Sequence, residues 1–136
     1  MSGRYPALRP YARGDVIAMT AAESTEFDQR AIEELGVPQP VLMENAGRSA
    51  ALLLDKLFPS GRVVGVIGAG NNGGDALVLL RTLQAWGRDV HGVLVAERTI
   101  EKPLLHDWFV PLTPDSDLEE ESWAELLGSA EVLVDG

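Results

Sequence analysis

The sequence predicts an α/β fold: about half of a doubly wound parallel sheet with crossover helices, preceded by two N-terminal helices. Three observations carry that reading. "RVVGVIG" (Arg62–Gly68) and "DVHGVLVA" (Asp89–Ala96) are near-continuous apolar runs, the pattern of strands buried on both faces of a parallel sheet. Between them, residues from Asp75 to Trp86 follow a helical pattern and Gly87 stops it. At the junction of strand and helix stand five small or polar residues, Gly70-Asn71-Asn72-Gly73-Gly74.

The elements follow in order. Residues 1–15, with Pro6, Pro10 and Gly14, read as a flexible N-terminal arm, and the domain is expected to span 16–136. "TAAE" predicts a helix start in which the Thr20 hydroxyl accepts from the Glu23 amide and Glu23 reaches back. Phe27, Ala31 and Leu35 recur at helical spacing, and Gly36 supplies the stop. A second helix begins near Pro40, with Leu42, Ala46, Ala50, Leu53, Leu54 and Leu57 as its apolar stripe. Gly47 lies inside it. Glycine there costs about 1 kcal/mol relative to alanine, which close approach of another backbone or a ligand would offset.

Beyond the second strand, residues 97–117 read as loop, broken by Pro103, Pro111 and Pro114. "DLEEESWAELLG" predicts a crossover helix with acids in its first turn, where the helix dipole favours them. "AEVLVDG" is a third strand. Strand, helix, strand, helix, strand is half of a doubly wound sheet. The chain is therefore expected to be a fragment of such a domain, ending at its third strand.

Composition narrows the function. With 136 residues, 46% hydrophobic and 24% charged, the chain has the profile of one globular domain. It holds no cysteine, so thiolate chemistry and disulfides are excluded, and a reducing cytoplasmic location is expected. Neither a secretory signal nor a run of eighteen apolar residues is present, so no membrane role is expected. A net charge of −10 argues against nucleic acid. It also requires any phosphate site to work through local donors.

The five-residue junction invites such a site. Gly68, Gly70 and Gly73 satisfy the G-x-G-x-x-G spacing, and Glu97 follows the next strand at the offset of a ribose contact. Asp75 counts against an ordinary dinucleotide loop, because a carboxylate at a helix start repels a second anion. Asn71 and Asn72 each offer an amide donor and a carbonyl acceptor. The set suits a mixed site for anion, sugar hydroxyls and a monovalent cation. Against it stands the plain reading, in which Asp75 is an N-cap and the glycines a turn. A turn needs one or two glycines and no paired asparagines.

"PVLMENAGRSAA", followed by "GAGNNGGDALVLLRTL", resembles the N-terminal domain of the NAD(P)H-hydrate epimerases, the YjeF N-terminal family. The resemblance runs from about Met19 to Gly136. It implies a Rossmann-like fold and interconversion of the R and S epimers of hydrated NADH and NADPH, the S form passing to a dehydratase. It further implies that Asn71, Asn72, Gly73, Gly74 and Asp75 contact the hydrated cofactor, and that Asn72 and Asp135 ligate a potassium ion. Asn45 would lie near the same pocket. Ala76 and Gly136 depart mildly from the family's glycine and alanine. The family's catalytic acid/base lies further along the chain, so the catalytic residue is expected beyond Gly136. The complete protein is expected to be a homodimer, with a NAD(P)H-hydrate dehydratase as functional partner, fused downstream in some arrangements.

Two rivals remain open on the residues alone. One is another nicotinamide-dependent oxidoreductase using Gly68, Gly70, Gly73 and Glu97. The other is a non-catalytic binding protein of the same fold. His91, His106, Trp86, Trp108 and Trp123 read as ordinary packing or surface residues, and Arg81 and Arg88 as solvated helix-surface cations.

Overall fold

The computed structural model describes residues 18–99 and 110–136. The expected N-terminal arm, His106 and Trp108 lie outside them. The chain divides into two compact units, Met1–Leu42 and Met43–Gly136.

In the first unit, α1 spans Ala21–Glu33. Its start is the expected capping box: Glu23 N donates to Thr20 Oγ1 at 3.3 Å, and Thr20 N donates to Glu23 Oε2 at 2.7 Å. Those bonds from Thr20 hold the Glu23 carboxyl below its ordinary pKa. Gly36, at φ +69°, ends the turn in a conformation that costs other residues energy. The expected stripe survives only at Ala31, since Phe27 is 61% and Leu35 78% exposed. Leu35 falls beyond the helix's C-cap, Glu34, and so leaves the helical lattice. A second helix, α2 (Gln39–Leu57), begins in this unit and continues into the next.

The second unit is built on β1 (Arg62–Ile67), α3 (Asn71–Ala85), β2 (Val90–Leu94), β3 (Leu112–Pro114), α4 (Glu120–Gly128) and β4 (Ala130–Asp135). All four strands are parallel, in the order β3-β2-β1-β4. One face of the sheet, with Val63 and Ile67, packs on Leu77, Leu80 and Leu83 of α3 and on Ala51 and Leu54 of α2. On the other, Val64 and Val93 pack on Leu126, with Trp123 partly buried against them. β1 therefore buries residues of both parities, as its unbroken apolar run requires.

Several expectations change. β3 makes the strand 130–135 the fourth, not the third. Its prolines hid it, yet they suit a three-residue strand at the sheet margin, where the outward N–H needs no partner; Pro111 O still accepts from Gly92 N at 2.9 Å. The buried face of α2 is Met43, Gly47, Ala51 and Leu54, whereas Ala46 and Ala50 are exposed. The cause is Gly47: a Cβ there would sit 2.4 Å from Val78 Cβ and 2.7 Å from Asp75 O. The glycine admits α3's backbone, so α2 turns that side inward.

Arg81 and Arg88 are not solvated. Arg81 is 7% exposed and paired with Glu44. Arg88 donates to Asp55 Oδ1 at 2.9 Å and to the carbonyls of Phe58, Ser60 and Gly61, satisfying oxygens just past the end of α2. No described helix is long and apolar enough to cross a membrane.

Candidate functional site

The chain runs from β1 outward through β2 to β3, then returns to lay β4 on β1's other side. At such a reversal the connections leave in opposite directions and open a crevice beyond the strands' carboxyl ends. Gly68-Ala69-Gly70 emerges from β1 there, and Asp135 and Gly136 emerge from β4 beside it. Gly68 N donates to Gly136 O at 2.7 Å, and Gly136 N donates to Val66 O at 3.0 Å.

α3 begins at Asn71, not at Asp75 as its sequence pattern suggests. The Asn-Asn-Gly-Gly stretch is the helix's first turn. Gly70 is the N-cap and provides no side-chain hydrogen bond. The first turn holds no acid, and Asp75 is the fifth helical residue, not the N-cap. An uncapped first turn with the positive end of a fifteen-residue helix behind it attracts negative charge.

Backbone packs on backbone here. A Cβ at Gly73 would lie 2.2 Å from Gly68 O, and one at Gly136 would lie 2.9 Å from Asn72 O. The loop, the helix start and the end of β4 thus form one close-packed unit. Asn71 and Asn72 are exposed, Gly73 and Gly74 are buried, Asp75 is half-buried, and Asp135 is exposed at the end of β4. The expected cofactor residues and the two expected cation ligands are all at this end of the sheet. Asn45 is exposed and lies about 200° around α2 from Met43, at 100° per residue, away from the stripe that meets α3.

One residue escaped the sequence reading. Arg98, just beyond β2, donates from Nη1 to Gly68 O at 2.8 Å and to Gly70 O at 3.0 Å. It ties the loop after β1 to the exit of β2 and sets a positive charge beside the helix start. Its only signal in the sequence was a cation next to Glu97. Beside it, Leu94, Glu97, Thr99, Asp115 and Ser116 line a cleft of about 710 Å³ at the ends of β2 and β3, within the range of small-molecule sites. Among the described residues no cluster of three or more histidines and carboxylates forms a metal centre.

Residues 39–136 match the family described as YjeF-related protein N-terminus. The chain belongs to that family. The NAD(P)H-hydrate epimerase of Rhodopirellula baltica is 47% identical over 72 residues, covering 53% of this chain and 30% of that protein. The bifunctional NAD(P)H-hydrate repair enzyme Nnr of Thermanaerovibrio acidaminovorans is 33% identical over 126 residues, covering 88% of this chain and 24% of that one. The crystal structure of yeast ynu0, YNL200c, superposes with a TM-score of 0.69 at 27% identity, covering 82% of this chain and 51% of that one. The chain thus spans 24–30% of these two curated relatives and 51% of the yeast chain. The Rossmann-like α/β expectation holds for this YjeF-related chain: its sheet is parallel and its helices cover both faces.

Proposed function

We propose that this chain is the cofactor-loop portion of an NAD(P)H-hydrate epimerase, which interconverts the R and S epimers of hydrated NADH and NADPH. The observation that carries the reading is the uncapped first turn of α3 at the sheet's switch point, in a chain of the YjeF-related family. The names of the relatives support the reaction.

In this reading the Asn71–Gly73 amides and the asparagine side chains hold the dinucleotide, with Gly74, whose amide donates to Gly70 O, and Asp75 at the edge of the contact. Asn72 and Asp135 hold a potassium ion. Their donors are oxygens, as a hard cation prefers, and the close packing of the Asn72 and Gly136 main chains supports the pairing. The bound ion would supply a fixed positive charge beside Asp135. Epimerisation at a hydrated ring carbon needs a group that gives and takes a proton. We assign that group to the protein beyond Gly136, and we take the oligomer to be a homodimer located in the cytoplasm. A dehydratase acting on the S epimer is the natural consumer of the product, and the bifunctional relatives support that partnership.

The test is to incubate the chain in potassium buffer with the pure R epimer of hydrated NADH and to follow the S epimer by chromatography. No conversion by the 136 residues is expected, and conversion is expected from the longer protein. In that longer protein, Asn72→Ala should weaken the potassium response with the fold intact. An unchanged response would remove Asn72 from the cation site.

A further inference from the structure

The cleft at the ends of β2 and β3 is not used by the chemistry described above. It adjoins the glycine loop through Arg98, which both lines the cleft and holds the carbonyls of Gly68 and Gly70. We infer that this cleft receives the adenosine ribose of the dinucleotide and that Glu97 selects the form without a 2′-phosphate, so that NADH hydrate is preferred over NADPH hydrate. The inference rests on the dinucleotide reading of Asn71–Asp75.

Position comes first. β2 is β1's neighbour on the side away from β4, and Glu97 is the third residue after its last one, Leu94. In open parallel sheets a dinucleotide whose pyrophosphate sits on the first helix lays its adenosine across the end of the next strand, where an acid meets the 2′-hydroxyl. Glu97 is exposed and lines a cavity large enough for that half of the molecule.

Charge decides the selection. Glu97 and Asp115 both line the cleft, and carboxylates accept hydrogen bonds from a ribose diol. Against them a 2′-phosphate would bring like charges together. Among the described residues lining the cleft, Arg98 is the cation, and it is turned to another task. Its Nη1 serves two main-chain carbonyls, its Nε is buried without a hydrogen-bond partner, and Nη2 lies against the first turn of α3, 3.3 Å from where a Gly74 Cβ would be. The guanidinium is held against the loop through Nη1, and a 2′-phosphate in the cleft meets the carboxylates of Glu97 and Asp115.

The experiment is calorimetric titration of the full chain with ADP-ribose and with ADP-ribose 2′-phosphate, for wild type and Glu97→Gln. Wild type should bind ADP-ribose tighter by on the order of tenfold, and Glu97→Gln should narrow that ratio to within a few-fold. Equal affinities in wild type, an unchanged ratio in Glu97→Gln, or no binding of ADP-ribose would each overturn the proposal. Parallel epimerisation assays on the two hydrates, in the longer protein, separate it from the functional reading. Equal turnover of both hydrates with no effect of Glu97→Gln refutes the selection and leaves the epimerase standing. Discrimination by Glu97 without any epimerisation does the reverse.

Discussion

Gly73→Ala separates packing from ligand contact within a single loop. The added Cβ would lie 2.2 Å from Gly68 O and 2.5 Å from Arg98 Nη1, roughly 1 Å inside ordinary van der Waals contact. Neither neighbour can move freely. Gly68 is stitched to the end of β4, and Arg98 is held by two carbonyls. Overpacking of this kind costs about 1–3 kcal/mol. Displacing Arg98 forfeits charge-assisted bonds worth about 1.5–3 kcal/mol. Alanine's better helix propensity returns at most about 1 kcal/mol, and less in a first turn. The net expectation is a loss of about 2 kcal/mol or more, read as a lower urea midpoint at constant slope. Gly70→Ser is the control, because nothing lies within 4 Å of a Cβ there and φ is −82°. A serine N-cap should leave stability unchanged or raise it by a few tenths of a kcal/mol. A Gly73→Ala protein as stable as wild type would refute the argument, since propensity would then have outweighed contact. So would an equal loss in Gly70→Ser, which would point to general intolerance of the loop. In the longer protein, a 1 Å shift of the loop should also cost on the order of 100-fold in turnover.

Other outcomes follow from the same geometry. Arg98→Met keeps the apolar stem and removes both carbonyl bonds; it should cost about 2 kcal/mol and speed hydrogen exchange in the first turn of α3, with Arg98→Lys restoring only part of it. Glu44→Ala should cost about 2 kcal/mol, because the buried Arg81 guanidinium loses its carboxylate; a double-mutant cycle with Arg81→Met should show the coupling. His91, whose Nε2 lies 2.9 Å from Thr113 Oγ1, has its pKa lowered by burial and by the Arg62 charge, with Asp89 opposing. The folded state then binds its proton less readily than the unfolded chain, so stability should fall as pH drops through about 6.5. His91→Gln should flatten that slope in denaturant titrations from pH 8 to pH 5.

Residue order alone was enough wherever neighbours in the chain satisfy one another. The Thr20–Glu23 box, the left-handed stops at Gly36 and Gly87, and the doubly buried strands β1 and β2 are all such cases. That the glycines and asparagines after β1 mark the passage from strand to helix was legible too. What those residues form was not. Asn-Asn-Gly-Gly has poor helix propensity, and only the fit of Gly73 against Gly68 and of Gly47 against Asp75 and Val78 makes it the start of α3 and turns α2 by one position. The same holds for the cations. Arg81, Arg88 and Arg98 look alike in a sequence, but each is spent on carboxylates or carbonyls brought from 27 or more residues away. β3, hidden by its prolines, forms because β2 offers it an edge. Hydrogen bonds within a turn are written into the order of residues. Burial and long-range pairing depend on what packs above, and that is settled only when the elements meet.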